Sequence, residues 1–221
     1  MRPILIFDLD GTLVNSLPDI AAAMNTALKA NGLPVHSESA YAAMVGNGAV
    51  VLTERACGNR QDRVKDVYTF YRKQYSAHLD EKTHPYPGMP ETLISLREQG
   101  YALGVISNKN QRDVERVCRS CFPDFQFDAV IGCLEGEPLK PDPACAARLT
   151  APLGASQGDI LAVIGDSAVD AAFAHGLGVA CIGCAWGFRG RAELEKANAE
   201  MIADSAEEIP ALLSKWVRGK S

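Results

Sequence analysis

The feature that most constrains the fold of this chain is an apolar run near its start that ends in two acids. The run Ile4–Phe7 leads directly into Asp8, and Asp10, Gly11 and Thr12 follow within a few residues. An apolar run that stops at a turn signal is typical of a strand buried on both faces of a parallel sheet. In open α/β sheets, ligands bind beyond the carboxyl ends of the strands. We therefore predict that Asp8 lies at a binding crevice.

The two acids of this turn need a positive partner. Two carboxylates so close together repel each other, and a metal ion or a lysine relieves the repulsion. Gly11 allows a sharp turn that directs backbone amides towards an anion. By itself the turn fits either a metal and anion site or an ordinary solvated Asp-x-Asp-Gly turn, and the residues downstream decide between them.

The chain then changes character twice. No strand pattern occurs between residues 15 and 82, where four helical segments are predicted. From Met89 onward, helices and short apolar strands alternate, which is typical of a parallel sheet. We predict an α/β fold with a doubly wound parallel sheet, a Rossmann-like core formed by residues 1–14 and 83–221. Residues 15–82 are predicted to form a small inserted helical cap domain.

The later strands and one helix can be placed from apolar runs and turn residues. The predicted strands are Ala102–Ile106, Ala129–Ile131, Ile160–Ile164, Val179–Ile182 and Met201–Ala203. A continuous helix opened by proline is predicted over Pro141–Leu153.

Polar residues follow two of these strands, and a lysine precedes the helix. Ser107 and Asn108 end one strand, Asp166 ends another, and Lys140 stands before Pro141. Each segment alone is a common turn. Their shared position matters, because the carboxyl ends of neighbouring parallel strands meet at one crevice.

These residue types suit phosphoryl transfer. A phosphate monoester repels a carboxylate, so transfer needs cations and an aligned nucleophile. Asp8 and Asp166, with a backbone carbonyl and waters, suit a Mg²⁺ site. Lys140 offers a point charge to the phosphate, and the Ser107 hydroxyl can donate to phosphate oxygens. An aspartate with an ordinary pKa of about 3.9 is ionised at pH 7, so Asp8 needs no base to carry its negative charge.

The segment DLDGT after an apolar strand resembles the first motif of the haloacid dehalogenase superfamily, in its phosphatase branch. The resemblance implies that Asp8 is the nucleophile that becomes an aspartyl phosphate and that Asp10 is the general acid and base. It also implies Mg²⁺ as the cofactor and places Gly11 and Thr12 in the phosphate-binding turn.

Three further segments resemble the remaining motifs of the superfamily in their order. VISN implies Ser107 as a phosphate ligand with Asn108 beside it, and LKPDP implies Lys140 as the lysine of the site. GDSAVD implies Asp166 as a ligand of Mg²⁺, together with Asp8 and Asp10, and Asp170 in support. One position departs from the pattern: Asn15 stands where many relatives have aspartate, at the predicted hinge to the cap.

The second aspartate excludes a dehalogenase within this superfamily. In the predicted cap, the segment Val45–Ala49 resembles the cap of the phosphoglycolate phosphatases. Asn47 and the glycines beside it are candidates for binding a substrate carboxylate, and a plain helix–helix turn is the alternative. Arg189 and Arg191 are further candidates for this contact, with surface charges as the alternative.

We therefore predict a Mg²⁺-dependent phosphomonoesterase that hydrolyses a small phosphorylated metabolite, with 2-phosphoglycolate as the leading candidate. One alternative is a β-phosphoglucomutase-like phosphotransferase, and another is a sugar-phosphate phosphatase of broader specificity. A third is a non-catalytic relative that binds phosphate or a protein partner, although no acid or lysine of the motifs is missing.

The composition of the chain indicates which cellular compartment and which classes of partner to expect. A formal net charge of -5 does not suggest a nucleic-acid partner. No apolar run approaches the roughly 20 residues of a membrane span, and no signal peptide precedes the first strand, so we expect a cytoplasmic protein without a membrane partner. It is expected to be a monomer or a homodimer. The seven cysteines include two C-x-x-C pairs too far apart for a usual zinc module, and buried thiols are expected.

Overall fold

A computed structural model of the chain describes residues 2–220. Its main sheet has six parallel strands in the order β5-β4-β1-β6-β7-β8, and the strands β2 and β3 form a separate antiparallel ribbon. The strands are β1 (Ile4–Phe7), β2 (Val14–Asn15), β3 (His84–Pro85), β4 (Ala102–Asn110), β5 (Ala129–Cys133), β6 (Ile160–Gly165), β7 (Ala180–Cys184) and β8 (Met201–Ala203).

Ten α-helices complete the described part of the chain. They are α1 (Leu17–Ala30), α2 (Glu38–Ala42), α3 (Gly48–Cys57), α4 (Val64–His78), α5 (Met89–Glu98), α6 (Gln111–Cys121), α7 (Ala147–Thr150), α8 (Ala168–Leu177), α9 (Gly190–Lys196) and α10 (Ile209–Lys220).

Alternate residues of the central strand face two different hydrophobic cores. Leu5 and Phe7 pack into a cluster that includes residues of α5, α6 and α10. Ile4 and Ile6 pack into a second cluster with residues of α7 and α8. Because side chains alternate across a strand, a sheet covered on both faces needs apolar residues at every position. The continuous run Ile4–Phe7 meets this need, and the predicted doubly wound parallel sheet is confirmed.

The strand order places a topological switch at β1. This strand pairs with β4 on one side and with β6 on the other, although both lie far along the chain. The connections leaving β4 and β6 run towards opposite edges of the sheet. A crevice opens beyond the carboxyl ends of the strands at such a switch point. Asp8 directly follows β1 and therefore stands at its centre.

Helices α1 to α4 lie between the two strands of the small ribbon. Val14 pairs with Pro85 and Asn15 with His84, so the chain enters and leaves the helical segment side by side. The buried Asp19 carboxylate holds the return connection, because it accepts hydrogen bonds from the backbone of Lys82 and Thr83. The side chain of Asn15 accepts only from Leu17 N, at 3.3 Å. The division into core and cap remains a prediction.

Two elements differ from their predicted form. Strand β4 extends beyond Ile106 to Asn110. The predicted helix over Pro141–Leu153 is broken instead into a 3₁₀ turn, the short helix α7 and another 3₁₀ turn. Pro152 lacks a backbone N–H and cannot continue the hydrogen-bond ladder of α7. Lys140 lies before the first 3₁₀ turn, in a turn closed by the hydrogen bond from Asp142 N to Leu139 O at 2.8 Å.

Two observations concern the membrane and the cysteines. Within residues 2–220, no helix has both the length and the apolar character that crossing a bilayer requires. All seven cysteines are free thiols, and five of them are buried: Cys57, Cys118, Cys145, Cys181 and Cys184.

Candidate active site

The segments after β1, within β4 and after β6 meet at one cavity. Its lining includes the predicted site residues Asp8, Asp10, Ser107, Asn108, Lys140, Asp166 and Asp170. The helical segment supplies the opposite part of the lining, with residues from the α2–α3 loop, α3 and α4. Parallel strands bring these residues together, as the sequence predicts.

Lys140 joins two of the acids. Its Nζ atom lies 2.8 Å from Asp8 Oδ1 and 2.7 Å from Asp170 Oδ1, and its side chain is only 3% exposed. The second oxygen of Asp170 accepts from the Ser167 hydroxyl at 2.6 Å. Asp170 is therefore fixed at both oxygens and in turn fixes Lys140 beside Asp8.

Three carboxylates in this cavity face a single ammonium group. Oxygens of Asp8, Asp166 and Asp170 lie within 4.8 Å of one another. Burial raises the pKa of Asp8 to about 7, against the lowering effect of Lys140, and Asp170 and Asp10 raise it further. Burial also raises the pKa of Asp166 well above its ordinary value, and Asp170 and Asp8 add to this. The cluster thus holds negative charge in excess, which a cation would relieve.

The residues present fit a divalent cation with a preference for oxygen. The three acids offer hard oxygen ligands of the kind that Mg²⁺ takes. The backbone packs tightly around Asp166: a Cβ atom at Gly11 would lie 2.3 Å from its Oδ2, and one at Gly187 would lie 2.2 Å from its Cβ. Phe188 N donates to Asp166 Oδ2 at 2.7 Å. The carboxylate is held in place by neighbours that only glycine permits.

Adding Mg²⁺ to the metal-free protein is therefore expected to raise its melting temperature by about 5–10 °C at a concentration near 100 times Kd. The bound ion stabilises the folded state, because the unfolded chain does not hold Asp8 close to Asp166 and Asp170. The measurement is a thermal melt with increasing Mg²⁺. Asp166→Asn removes one ligand and should abolish most of the shift, whereas Asp142→Asn, on an exposed loop, should retain it. An equal shift in both variants would contradict the site.

Asp10 occupies a different environment from the other acids. Its Oδ1 accepts hydrogen bonds from Lys109 Nζ and from the Ser16 hydroxyl, and its carboxylate is not part of the three-acid group. The three-acid group thus contains Asp8 and Asp166 of the predicted metal set together with Asp170, and the metal set of Asp8, Asp10 and Asp166 remains a prediction. A carboxyl that faces away from the metal ligands is suited to proton transfer, the other role predicted for Asp10.

Ser107 and Asn108 have different surroundings, although both line the cavity. The Ser107 hydroxyl accepts only from Lys109 N, at 3.3 Å, and can still donate its own hydrogen. Asn108 bonds to the backbone of Lys140 through both atoms of its amide, at 2.9 Å each, and also donates to Gly46 O. Asn108 therefore positions Lys140, and its side chain has little capacity left for the phosphate contact predicted for it.

Gly11 and Thr12 support the site from behind. Gly11 has a φ of +88°, and its missing side chain leaves room for Asp166 and Gly187. Thr12 is fully buried, and its carbonyl accepts from Trp186 Nε1 at 3.1 Å. Neither residue is among those that line the cavity. This turn packs against the loop after β7, and the phosphate-binding role predicted for Gly11 and Thr12 remains a prediction.

The structure places Asn47 outside the cavity. Its Oδ1 accepts from Arg55 Nη2 at 2.9 Å, and the residue is absent from the lining, whereas Gly46 and Gly48 contribute to it. The Asn47 side chain thus bonds to Arg55, while the glycines beside it line the cavity, and the substrate contact predicted for this segment remains a prediction. The arginine on α3 competes for the amide, a contact that the local sequence does not reveal.

The two arginines after β7 have different locations and partners. Arg189 lines the cavity and donates to the carbonyls of Ala43 and Val45 at 2.9 and 2.7 Å, which ties the core to the α2–α3 loop. Arg191 pairs with Asp204 at the surface, at 2.6 Å. Arg189 thus bridges two parts of the chain, while Arg191 is the surface charge given as its alternative.

Sequence reasoning missed Lys109 and Arg72, which also line the cavity. Lys109 is almost buried and lies 5.0 Å from the centre of the Tyr75 ring, in addition to its bond with Asp10. Its position directly after Ser107-Asn108 was a usable signal, because a strand extended by a few residues carries Lys109 into the same crevice. Arg72 lies in the middle of a long amphipathic helix and has no local signature.

Comparisons with known proteins agree with this geometry. A family model described as haloacid dehalogenase-like hydrolase matches residues 5–184. The chain is 34% identical to a phosphoglycolate phosphatase of Haemophilus influenzae over 216 residues, which is 94% of this chain and 96% of the relative. It is 36% identical to a phosphoglycolate phosphatase of Pseudomonas syringae over 218 residues, 95% of this chain and 79% of the relative.

Solved structures give the same result. A crystal structure from Haemophilus somnus, described as a predicted phosphoglycolate phosphatase, superposes with a TM-score of 0.86 at 33% identity and covers 96% of this chain and 97% of its own. A second, from Lactobacillus delbrueckii and described as a putative phosphoglycolate phosphatase, has a TM-score of 0.89 at 28% identity, with 96% and 99% covered.

Proposed function

This chain belongs to the haloacid dehalogenase-like hydrolase family, and from that membership we propose that it is a Mg²⁺-dependent phosphomonoesterase. The proposed substrate is 2-phosphoglycolate, the compound in the name of its relatives, and the proposed intermediate is an aspartyl phosphate on Asp8. The observation that carries the proposal is the position of Lys140 between Asp8 and Asp170 in a cavity that Ser107 and Asp166 also line.

In the first half-reaction, an oxygen of Asp8 attacks the phosphorus atom of the substrate. The new bond forms as the phosphorus–oxygen bond of the ester breaks, and the leaving alkoxide takes a proton from Asp10. Lys140 and the Ser107 hydroxyl stabilise the equatorial oxygens of the phosphoryl group. When bound at Asp8, Asp166 and Asp170, Mg²⁺ supplies positive charge that allows the anionic phosphate to approach the anionic nucleophile.

In the second half-reaction, water replaces Asp8. Asp10 accepts a proton from the water as the water oxygen bonds to phosphorus, and the bond between phosphorus and the Asp8 oxygen breaks. Inorganic phosphate leaves, and both aspartates return to their starting states. Lys109 and Ser16 both bond to Oδ1 of Asp10, and within residues 2–220 its Oδ2 has no hydrogen bond, so Oδ2 is the oxygen available for these proton transfers.

The substrate proposal is tested by a panel of phosphorylated small metabolites, assayed for phosphate release with Mg²⁺ and with EDTA. We expect the highest kcat/KM with 2-phosphoglycolate and no turnover in EDTA. Release of phosphate without any bisphosphate primer would exclude the mutase alternative. A higher kcat/KM with sugar phosphates would contradict the proposed substrate and favour the broader phosphatase.

Replacing Asp10 by asparagine is expected to affect substrates according to their leaving groups. With 2-phosphoglycolate, whose alkoxide needs a proton, kcat should fall by about 10²–10⁴-fold. Formation of the aspartyl phosphate from p-nitrophenyl phosphate should be much less affected, because p-nitrophenolate leaves without a proton. Hydrolysis of the intermediate also needs Asp10, so steady-state turnover of the variant would be slow with either substrate. The initial burst of p-nitrophenol measures formation of the aspartyl phosphate separately. Equal slowing of acylphosphate formation with both substrates would contradict the role of Asp10 as an acid.

A further inference from the structure

Arg72 lies in the wall of the active-site cavity without a role in the steps above. It belongs to α4 in the helical segment, and it lines the same cavity as Asp8, Ser107 and Lys140. Its side chain is 22% exposed, so the guanidinium is partly shielded from water but open on one side. A cation in this position can meet a second charge on a molecule whose phosphoryl group lies at Asp8.

The guanidinium of Arg72 is held by an acid of the core. Its Nη1 donates to Asp113 Oδ2 at 2.7 Å, and Asp113 Oδ1 accepts from the Ser76 hydroxyl at 3.1 Å. Asp113 is buried in the first turn of α6, which begins where β4 ends. Asp113 thus fixes the orientation of Arg72 relative to β4, the strand that carries Ser107.

This arrangement leaves one edge of Arg72 available. Within residues 2–220, Nε and Nη2 have no hydrogen-bond partner, and neither is among the buried atoms that lack one. Both nitrogens therefore contact solvent. A planar guanidinium that is held at one nitrogen can still present two parallel N–H donors, which is the geometry that matches a carboxylate.

The other cationic side chains of the cavity are already engaged in the described chain. Lys140 is shared by Asp8 and Asp170, and Lys109 is bonded to Asp10. Arg189 uses both terminal nitrogens on backbone carbonyls of the α2–α3 loop. Among these cations of the described chain, Arg72 is the one whose Nε and Nη2 donors, which lie side by side, are both without a partner.

The geometry points to Arg72 as the residue that binds the carboxylate of the substrate and so selects short phosphorylated carboxylic acids over neutral phosphate esters. This inference rests on the proposed phosphatase function and adds the determinant of its specificity. The cavity encloses only about 60 Å³, room for a few waters at about 10–15 Å³ each, which favours a ligand of few atoms.

The test compares two esters of similar length in the full-length protein with Mg²⁺: 2-phosphoglycolate, and 2-hydroxyethyl phosphate, which lacks the carboxylate. For Arg72→Gln we expect kcat/KM to fall by about 10²-fold with 2-phosphoglycolate and by less than about 3-fold with 2-hydroxyethyl phosphate. Arg72→Lys keeps the charge but loses the planar pair of donors, and it should recover part of the loss with 2-phosphoglycolate only.

Arg116→Gln is the matched control. Arg116 lies on α6, pairs with Asp80 after α4 through two hydrogen bonds of 3.0 and 2.6 Å, and does not line the active-site cavity. It therefore links the same two parts of the chain without reaching a ligand, and its loss should change both esters equally. A thermal melt of each variant confirms that it is folded.

The results separate the inference from the proposed function. An equal loss with both esters in Arg72→Gln, as in the control, would overturn the inference and leave Arg72 as a structural link. No loss with either ester would overturn it as well. In both cases the phosphatase function stands, provided that the unmodified protein hydrolyses 2-phosphoglycolate. Absence of that hydrolysis would instead refute the proposed function.

Discussion

Replacing Asp8 by asparagine is expected to lower kcat on 2-phosphoglycolate by at least about 10⁴-fold. The amide has almost the shape of the carboxylate but carries no negative charge and cannot form the acylphosphate. Asp8 directly follows β1, and its Oδ1 lies 2.8 Å from Lys140 Nζ. The measurement is phosphate release under saturating substrate and Mg²⁺, with the protein shown to be folded by circular dichroism.

The control for this variant is Asp142→Asn in the same connection as Lys140. Asp142 is exposed, caps the turn at Ala144 through a 2.9 Å hydrogen bond, and does not line the cavity. Its replacement should leave kcat within about 2-fold of the original value, as is usual for a surface change. Turnover of the Asp8 variant near that of the control would exclude an aspartyl phosphate on Asp8.

Asp8→Asn is also expected to stabilise the metal-free protein at neutral and higher pH. Burial raises the pKa of Asp8 from 3.8 to about 7, so the folded state disfavours its ionised form. Its contribution to stability is complete below the ordinary pKa and is lost as the pH rises through about 7. In EDTA, Asp8→Asn should therefore melt above the original protein at pH 8 and close to it near pH 4. A lower melting temperature at pH 8 would contradict the excess of negative charge.

Replacing Lys140 by methionine is expected to damage both turnover and stability. Methionine keeps much of the volume but leaves Asp8 and Asp170 without the ammonium that lies within 2.8 Å of each. Removing one partner of a buried ion pair costs about 3–5 kcal/mol, or about 6–20 °C in melting temperature for a chain of this size. Lys140 also stabilises the phosphoryl group during transfer, and losing its charge should lower kcat by about 10²–10³-fold, as the loss of other electrostatic contacts does.

The two effects of the Lys140 variant can be separated by a second substitution. Lys140→Met with Asp170→Asn removes one of the unpaired acids, so much of the melting temperature should return while kcat stays low. Thermal melts and phosphate release measure the two quantities independently. A double variant that recovers turnover along with stability would show that Lys140 acts through the fold and not on the phosphoryl group.

The location of the site could be predicted from the sequence to a large extent. Asp8, Ser107 and Asp166 each follow or end an apolar strand, and parallel strands in one sheet all end at the same edge. Lys140 could be assigned through its resemblance to a family motif, and the structure brings it into the same cavity. The catalytic roles of these residues remain predictions that the variants above address.

The direction of individual side chains could not be predicted. Asn108 bonds to the backbone of Lys140, and Asn47 is held by Arg55. Asp170, predicted to support the site, bonds to Lys140 and Ser167 and also lies within the three-acid group. In each case the deciding partner is distant in sequence or depends on a loop conformation, and no local pattern records which of several possible hydrogen bonds forms.

The sequence by itself determined the class of fold and the edge of the sheet at which chemistry occurs, because both follow from local rules. A doubly buried strand needs a continuous apolar run, and the residue that ends the run lies at the crevice. Only the tertiary structure decided which charges meet there. It brought Lys109 to Asp10, which lies 99 residues away in the chain. It also placed Arg72 in the cavity wall, bonded to Asp113, which lies 41 residues away. Such contacts depend on how helices pack over the sheet, and that packing is a property of the whole core.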